Sequence, residues 1–370
     1  MTAVLTVNTG STSVKLAAFD TAPSGTPARL WDEQHHGSTL QPVQVLRSLS
    51  AKLASPPPIL VHRVVHGGTR FTVPTRIDAS VEQAIGALSP MAPLHNPQAL
   101  RWIGAAREIW GERTQQWAVF DTAYFARMPR VASEYALAPA IGIERGVRRY
   151  GFHGLAHESL WRRWCTLNPQ LEAGGRLISL QLGGGCSIAA TLHGSPLDTS
   201  MGFSPLEGLV MATRCGDLDP AVIPYLERSM GLSGDAVIEA LEKRAGLAGL
   251  SGTDGDIRQL LRARSSEAEF ALDLYCYRIR KYVGAYLAVL GGCDGIVFGG
   301  GVGEHVPAVR DKALQGLEFL GIELDPARNG QACGEEALIS AADRIKVHVL
   351  HSDEEAILAA AGARALAGFS

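Results

Sequence analysis

The chain begins with two apolar runs that a short polar turn separates. The runs cover residues 4–7 and 14–19, and the turn between them consists of Asn, Thr, Gly and Ser. This pattern predicts a β-hairpin. The turn offers backbone N–H groups and hydroxyls, and Lys15 follows it directly, so it suits a phosphate. An ordinary hydroxyl-rich turn with a solvated lysine explains the same residues equally well.

The same periodicity predicts helices and further strands. Helices are expected at residues 43–53, 98–110, 235–243 and 268–290. Asn96 precedes the second helix as N-cap, with Pro97 at its first position. Buried strands are expected at residues 59–66, 117–120 and 345–350. The last helix is expected to begin with a capping box of Ser352 and Glu355, which leaves Glu354 as a metal candidate.

Residues 177–191 repeat the opening design of a strand, a glycine-rich turn and a strand. The repeat lies where a second domain would begin, and the length of the chain suggests two domains. A third glycine-rich stretch, residues 295–304, follows a strand and precedes a helix expected near Pro307. Glycines there allow a ligand to approach the backbone closely.

Composition narrows the function classes. The 370 residues carry a net charge of −3, with 46% hydrophobic and 19% charged residues, which is ordinary for a globular protein. No basic run indicates binding to nucleic acid or to a membrane surface, and no segment has the pattern of a signal peptide or a membrane span. The six cysteines contain no CxxC pair, so we expect reduced thiols, no zinc site and a cytoplasmic protein.

Charged side chains interrupt the apolar runs at several points. Arg63 lies in a predicted strand, where a guanidinium can grip a carboxylate or a phosphate. Asp121 directly follows another strand, where α/β sheets form clefts. A core ion pair for Arg63 and a capped turn for Asp121 are the alternatives. His95, ahead of the second helix, is either a loop ligand or part of the cap.

Two further segments carry polar groups outside the predicted strands. Residues 148–157 contain two arginines and the histidines His153 and His157. Residues 198–220 form a long irregular stretch whose strongest cation is Arg214, and ordered loops of this length are usually functional.

Nine phrases in this order and spacing resemble the acetate kinase family, within the superfamily of actin-like proteins, sugar kinases and chaperone ATPases. They extend over most of the chain and read NTGSTSVK, HRVVHGG, APLHNP, VFDTA, RRYGFHG, DTSMGFSPLEGLVMATRCGDLDP, SGTDGDIR, IVFGGGVGE and SDEE. The resemblance implies reversible phosphoryl transfer from ATP to acetate, which gives acetyl phosphate and ADP with Mg²⁺ or Mn²⁺.

The resemblance also implies an architecture. It is α/β, with two ribonuclease H-like domains of the actin-like ATPase type and an active-site cleft between them. The first domain would comprise residues 1–147 plus 356–370, and the second residues 148–355. The last helix would pack on the first domain, and the protein would be a homodimer.

The family motifs assign roles to individual residues. The metal-associated residues are Asn8 and Glu354, and the catalytic residues are Asp121, His153 and Arg214. The substrate-binding residues are Arg63, Val65, Leu94, His95, Phe152 and Pro205. The ATP contacts are Ser11, Ser13, Lys15, Gln181, Leu182, Gly183, Gly184, Gly185, Asp256, Ile257, Arg258, Gly301, Val302, Gly303, Glu304 and His305. Because acetate is ionised at neutral pH, we expect Asp121 to orient other groups rather than to abstract a proton.

The chain departs from the family pattern mainly on the nucleotide side. The second glycine turn usually reads HLGNG, and here Gln181 replaces the histidine and Gly184 the asparagine. Backbone amides are expected to replace the missing amide side chain. The alternatives are a propionate kinase, an acyl kinase that uses pyrophosphate, and a non-catalytic nucleotide sensor on the same scaffold.

Overall fold

The computed structural model describes residues 3–10, 13–21, 27–37 and 40–367. These residues form two compact units, residues 1–126 with 353–370 and residues 127–352. The boundaries expected from the sequence, after residues 147 and 355, stay a prediction.

Both units are mixtures of helices and strands. The strands are β1 Ala3–Thr9, β2 Ser13–Asp20, β3 Ala28–His36, β4 Ile59–Val64, β5 Thr75–Arg76, β6 Gln115–Phe120, β7 Arg176–Leu182, β8 Cys186–Leu192, β9 Ser195–Thr199, β10 Gly295–Gly299, β11 Ala337–Leu338 and β12 Lys346–Val349. The helices are α1 Pro42–Lys52, α2 Ala79–Ala87, α3 Asn96–Trp110, α4 Arg130–Ser133, α5 Gly154–Leu167, α6 Val222–Met230, α7 Gly234–Lys243, α8 Gly246–Ser251, α9 Ile257–Ala263, α10 Ser266–Leu290, α11 Gly300–His305, α12 Pro307–Leu314, α13 Pro326–Gln331 and α14 Glu354–Ala367. None of the described helices is long and apolar enough to cross a membrane.

Each unit contains a six-stranded mixed sheet, and the two sheets have the same topology. The strand order is β3-β2-β1-β4-β6-β5 in the first and β9-β8-β7-β10-β12-β11 in the second. In both, the first three strands form an antiparallel meander, the next two add in parallel, and the last edge strand is antiparallel. The repeat expected from the two glycine turns therefore extends to a whole sheet, and the expected two-domain α/β fold is confirmed.

Helices cover both faces of the first sheet. Trp102 and Trp110 of α3 are fully buried with Leu5, Leu16 and Leu46 in one core cluster. On the other face, Gly362 of α14 lies against Val4, Ile59 and Val61. The last helix therefore packs on the first unit, as expected.

The second sheet lies between α5 and α10. Leu160 and Trp164 of α5 share a core cluster with Leu177 and Val297. From the other side, Tyr275 of α10 reaches Cys186, whose Sγ lies 3.1 Å from the tyrosine hydroxyl. Adjacent residues of a strand point to opposite faces, so Ser187, next to Cys186, points toward α5.

Two local expectations about helix starts were wrong. Asn96 is the first residue of α3 rather than its cap, and its side chain instead bonds the backbone N–H and C=O of His66 at 3.1 and 3.0 Å. In α14, Asp353 accepts from the N–H of Ala356 at 2.9 Å, so the expected Ser352–Glu355 capping box does not form. In the third glycine-rich stretch, residues 300–305 form the short helix α11, and the helix expected near Pro307 follows as α12.

Candidate functional site

The register of the first sheet brings Asn8, Lys15 and Arg63 to one face. Asn8 pairs with Lys15 across the β1–β2 hairpin, and Val7 pairs with His62 on β4. Asn8 and Arg63 are the next residues along these two strands and therefore point to the same side. Arg63 Nη1 donates to Asn8 Oδ1 at 3.1 Å, which confirms that the two side chains meet.

Arg63 and Asp121 form a largely buried ion pair. Arg63 Nε and Nη2 both donate to Asp121 Oδ2, at 3.1 and 2.6 Å, and the side chains are 12% and 1% exposed. Burial alone would lower the pKa of Arg63, but the carboxylates of Asp121 and Glu354 outweigh it and raise that pKa. The guanidinium therefore stays charged, and its three hydrogen bonds use three of its five N–H groups.

Asn8 also joins the first strand to the start of α14. Its Nδ2 donates to Glu354 Oε2 at 2.8 Å and to Glu355 Oε1 at 2.7 Å. Glu354 Oε2 lies 3.3 Å from Arg63 Nη1. Four of the sequence-predicted residues, Asn8, Arg63, Asp121 and Glu354, therefore form one charged cluster in the first unit.

This cluster fits Mg²⁺ in its ligand chemistry. Glu354 and Asn8 offer hard oxygen ligands, and the Glu354 side chain is 14% exposed. Mg²⁺ usually keeps several waters and takes one or two protein carboxylates together with substrate phosphates. The described residues include no group of three or more His, Cys, Asp and Glu side chains that could hold a metal ion.

Asn96 ties together the two segments that carry the expected apolar acyl contacts of this unit. Its side chain binds both backbone groups of His66, so the segments around Val65 and around Leu94 and His95 are held side by side. Val65 is buried, whereas Leu94 is 51% exposed. Leu94 therefore contributes a surface rather than a core contact.

The first glycine turn is only partly described. Gly10 N–H donates to Ser13 O at 2.8 Å and closes the turn, and Lys15 is exposed on β2. Ser11, also predicted to contact ATP, lies outside the described residues.

In the second unit, His153 stands at the N-cap of α5. Its backbone is left-handed, with φ of +58°, and its Nδ1 lies 2.8 Å from Ser187 Oγ. One helical turn later, His157 Nε2 lies 2.8 Å from the same hydroxyl. His157 is fully buried, and burial, followed by the neighbouring His153, lowers its pKa to about 3.

Arg214 lies near His153. A methyl group added at Gly185 would lie 3.5 Å from His153 Nε2 and 3.7 Å from Arg214 Nη1. Arg214 Nη1 also donates to Pro205 O at 3.1 Å, and burial lowers the pKa of Arg214. Phe152, beside His153, is 1% exposed. The second unit thus brings His153, Arg214 and Pro205 together around the second glycine turn.

The second glycine turn presents backbone rather than side chains. Gly183 N–H donates to Gly185 O at 3.0 Å. Within the described part of the chain, the N–H groups of Gly184 and Gly185 donate to no protein acceptor. Leu182 is fully buried, while Gln181 Oε1 is buried without a described hydrogen-bond partner.

The remaining predicted nucleotide contacts lie at two helix starts. Asp256 caps α9 and pairs with Arg258 Nη2 at 2.7 Å, and Ile257 between them is 4% exposed. In α11, Glu304 Oε1 accepts from Gly300 N–H at 2.9 Å and Glu304 Oε2 lies 2.7 Å from His351 Nδ1. Gly301 and His305 are exposed, Val302 is partly buried and Gly303 is buried.

Sequence reasoning gave no role to Ser187 or Glu355 at this site. Ser187 bridges two histidines, and Glu355 binds Asn8 rather than capping α14. The spacing of His153 and His157 was the available signal, because residues four apart on a helix lie on one face.

Comparisons with known proteins agree with this geometry. Residues 43–360 match the acetokinase family. An acetate kinase from Streptomyces avermitilis is 46% identical over 298 residues, which cover 80% of this chain and 73% of that protein. The crystal structure of Porphyromonas gingivalis acetate kinase superposes with a TM-score of 0.86 at 33% identity, over 99% of this chain and 100% of that chain. A propionate kinase from Francisella tularensis gives the same TM-score at 30% identity, over 98% and 99%. The chain belongs to the acetokinase family.

Proposed function

We propose that this protein is an acetate kinase, which transfers the γ-phosphoryl group of ATP reversibly to acetate with Mg²⁺. Family membership supports the reaction class. The observation that carries the assignment of the site is the charged cluster of Asn8, Arg63, Asp121 and Glu354 in the first unit.

The reaction needs charge compensation more than proton transfer. An oxygen of the acetate carboxylate attacks the γ-phosphorus, the new C–O–P linkage forms, and the bond from phosphorus to the leaving ADP oxygen breaks. Acetate is already ionised, so no general base is required. Donors and cations around the transferring group therefore carry the catalysis.

Arg63 binds the acetate carboxylate in this account. Three of its five N–H groups donate to Asp121 and Asn8, and Nη1 also lies 3.3 Å from Glu354 Oε2. The N–H groups that remain on Nη1 and Nη2 are the donors proposed for the acetate carboxylate. Asp121 holds the guanidinium through Nε and Nη2 and so fixes the direction of the remaining donors. It acts as an orienting group and not as a base.

His153 and Arg214 supply donors to the phosphoryl group. Their nitrogens lie on the same side of Gly185, and the N–H groups of Gly184 and Gly185 provide backbone donors for nucleotide phosphates. Asn8 and Glu354 would hold Mg²⁺, which neutralises phosphate charge when bound.

The finer expectations from the sequence belong to the same proposal. ATP would be bound by the helix starts at residues 256–258 and 301–305 and by Ser13 and Lys15. The methyl group of acetate would be contacted by apolar and ring side chains, namely Val65, Leu94, His95, Phe152 and Pro205. We propose further that the enzyme is cytoplasmic, where ATP is available, and homodimeric. Gel filtration with light scattering measures the last point.

Propionate is the second candidate acceptor. The propionate kinase from Francisella tularensis matches the fold as well as an acetate kinase does. One methylene in an apolar pocket changes binding by only about 1–3 kcal/mol, so both acids are expected to react, with acetate preferred.

Acyl phosphate trapping as the hydroxamate tests the function. The purified protein is given acetate or propionate, Mg²⁺, and ATP, GTP or pyrophosphate in turn. We expect turnover with ATP and acetate, and less with propionate. Activity with pyrophosphate alone would assign a different donor to the altered glycine turn. A folded protein that binds ATP but forms no acyl phosphate with any pair would instead be a nucleotide sensor.

A further inference from the structure

A guanidinium lies fully buried in the second unit, and no carboxylate is among its hydrogen-bond partners in the described part of the chain. Arg310 of α12 is 0% exposed and binds only side-chain amide and backbone oxygens. Burial lowers its pKa to about 10, so the side chain stays charged near neutral pH. A cation removed from water is costly unless hydrogen bonds replace the water. The hydrogen bonds of Arg310 therefore decide where its side chain lies.

Every N–H group of Arg310 has an acceptor. Nε donates to Asn329 Oδ1 at 2.8 Å, and Nη2 donates to Asn329 O at 2.8 Å and to Ala332 O at 2.6 Å. Nη1 donates to Gly303 O at 2.7 Å and to Glu304 O at 3.2 Å. Because a guanidinium carries five N–H donors in one fixed plane, these five contacts define its position. They join α11 to residues 329–332.

The acceptors on α11 are the carbonyls of its last turn. A helix leaves its last C=O groups without a partner inside the helix. Arg310 binds two of these groups, and Gly334 N–H donates to Glu304 O as well, at 3.0 Å. Cys333 Sγ lies 3.4 Å from the next carbonyl, His305 O. The end of α11 is therefore held by Arg310 together with the segment that follows α13.

Helix α11 depends on contacts of this kind. It has six residues, and helices this short are not stable on their own in water. Its start follows strand β10, and Gly300 N–H donates to Glu304 Oε1 at 2.9 Å. Its end is bound by Arg310. Residues 301–305 thus lie between two sets of contacts that set their geometry.

We propose that Arg310 is a positioning residue for the nucleotide, because it holds the end of α11 and so keeps residues 301–305 in the geometry that binds ATP. The contact of these residues with ATP rests on the proposed acyl kinase function. The hold on α11 does not, because it is a property of the free protein. Arg310 itself touches no substrate in this account, since all of its donors are used inside the protein.

Hydrogen exchange of the free protein tests the hold on α11. In Arg310→Met the last carbonyls of α11 lose their donors, so peptides that cover residues 300–306 should exchange faster. Arg310→Lys keeps the charge but carries its three N–H donors on one atom, and we expect an intermediate rate. Peptides from β1 and β2 of the first unit should exchange as in the wild type, which shows that each variant is folded.

Asn329→Leu tests the same inference from the acceptor side. Asn329 is 5% exposed, accepts from Arg310 Nε at 2.8 Å and donates through Nδ2 to Pro307 O at 3.1 Å. Its loss should speed exchange of α11 less than Arg310→Met does, because the two bonds of Nη1 to α11 stay in place.

Asn168→Leu is the matched control. Asn168 is 1% exposed, accepts from the ammonium group of Lys346 at 2.8 Å and donates through Nδ2 to Trp164 O at 3.1 Å. It therefore makes the same two kinds of bond at the end of another helix, α5, in the same unit. Its loss should loosen the end of α5 and leave both α11 and ATP binding unchanged.

Calorimetric titration with MgATP gives the second measurement. The dissociation constant of Arg310→Lys should rise roughly tenfold, the effect of one misplaced hydrogen bond to the nucleotide. KM for ATP should rise in parallel, with KM for acetate unchanged. Asn329→Leu should change ATP affinity in the same direction and by less.

Three outcomes would contradict the two parts of the account separately. Unchanged exchange of α11 in folded Arg310→Lys and Arg310→Met would overturn the hold on α11. Faster exchange of α11 with unchanged ATP affinity would overturn the positioning role. A wild type whose α11 depends on Arg310 but which neither binds ATP nor forms acyl phosphate would overturn the proposed acyl kinase function alone.

Discussion

Asn8 Nδ2 donates to Glu354 Oε2 at 2.8 Å, across 346 residues of sequence. The contact joins the first strand of the chain to the first turn of its last helix. It also sets an amide between two carboxylates and the Arg63 guanidinium. Strand β1 and helix α14 therefore contribute to one cluster, and the position of Glu354 depends on its hydrogen bond from Asn8.

Replacing Asn8 should weaken the first unit and its use of Mg²⁺. In Asn8→Ala, Glu354 and Glu355 lose a donor in a buried place, which costs about 1–3 kcal/mol. Hydrogen exchange of peptides from β1 and α14 measures the loss of protection, and a titration of Mg²⁺ against activity should shift to higher concentration. Thr6→Val is the control, because Thr6 lies on the same strand and its buried hydroxyl donates to Ala17 O at 3.2 Å. If the two variants changed exchange and the Mg²⁺ titration equally, the hydrogen bonds of Asn8 to Glu354 and Glu355 would have no specific role.

The pair of Arg63 and Asp121 should be strongly coupled. Arg63→Ala leaves a carboxylate that is 1% exposed without its cation, and breaking a buried pair in this way costs about 3–5 kcal/mol. Asp121→Ala added to it should recover part of that loss, so the double-variant cycle gives a coupling free energy of about 1–3 kcal/mol.

The exposed pair of Arg47 and Glu108, 3.3 Å apart, provides the reference cycle. Its coupling should stay below about 1 kcal/mol. A value for Arg63 and Asp121 no larger than this reference would mean that the buried pair does not orient the guanidinium.

Buried His62 should make the first unit sensitive to acid. Burial lowers the pKa of His62 to about 4, with a smaller opposing effect of its bond to Gln116. The unfolded chain takes up this proton near pH 6.5 and the folded chain only near pH 4, so stability falls as pH falls through that window. His62 contributes at most about 1.4 kcal/mol per pH unit to this slope, and His66, whose pKa burial also lowers to about 4, contributes a further share.

His62→Gln should reduce this dependence to the share that His66 contributes, which urea unfolding at several pH values between 6.5 and 4 measures. His36→Gln, at an exposed position of the same unit, is the matched control. A wild-type slope that survives His62→Gln would place the acid sensitivity elsewhere.

Gly184→Asn tests the assignment of the second glycine turn to the nucleotide. A side chain fits there without strain, because no atom lies within 4 Å of the added Cβ and the backbone φ is not positive. The new amide should lower KM for ATP and leave KM for acetate unchanged. One hydrogen bond to a charged phosphate is worth at most about 3 kcal/mol. An altered KM for acetate with an unaltered KM for ATP would contradict the assignment.

Many of the helices and strands could be predicted from the sequence, because the spacing of apolar residues within a short segment determines whether that segment forms a helix or a strand. The opening hairpin, the strand that carries Arg63 and the long helix α10 all follow from it. The shared topology of the two sheets does not, because the pairing of β1 with β4, or of β7 with β10, joins residues far apart in sequence. Two similar glycine turns indicated a repeat but not its extent.

The local errors have a common physical cause. Asn96 and Glu355 both have the chemistry of caps, yet each makes a tertiary contact instead, with His66 and Asn8. A polar side chain near a helix start has several possible partners, and only the fold decides among them. The contacts of Ser187 with His153 and His157 could not be predicted for the same reason, because the residues next to Ser187 in sequence do not indicate which side chains the fold brings to it.

The most direct measurement uses acetate labelled with ¹⁸O in both carboxylate oxygens. The protein, unlabelled ATP and Mg²⁺ are added, and ³¹P NMR follows the products. If the carboxylate attacks the γ-phosphorus, acetyl phosphate appears together with ADP, and its phosphorus signal carries the shift of one bridging ¹⁸O. Acetyl phosphate without that label, or folded protein that forms none while an authentic acetate kinase succeeds beside it, would contradict the account.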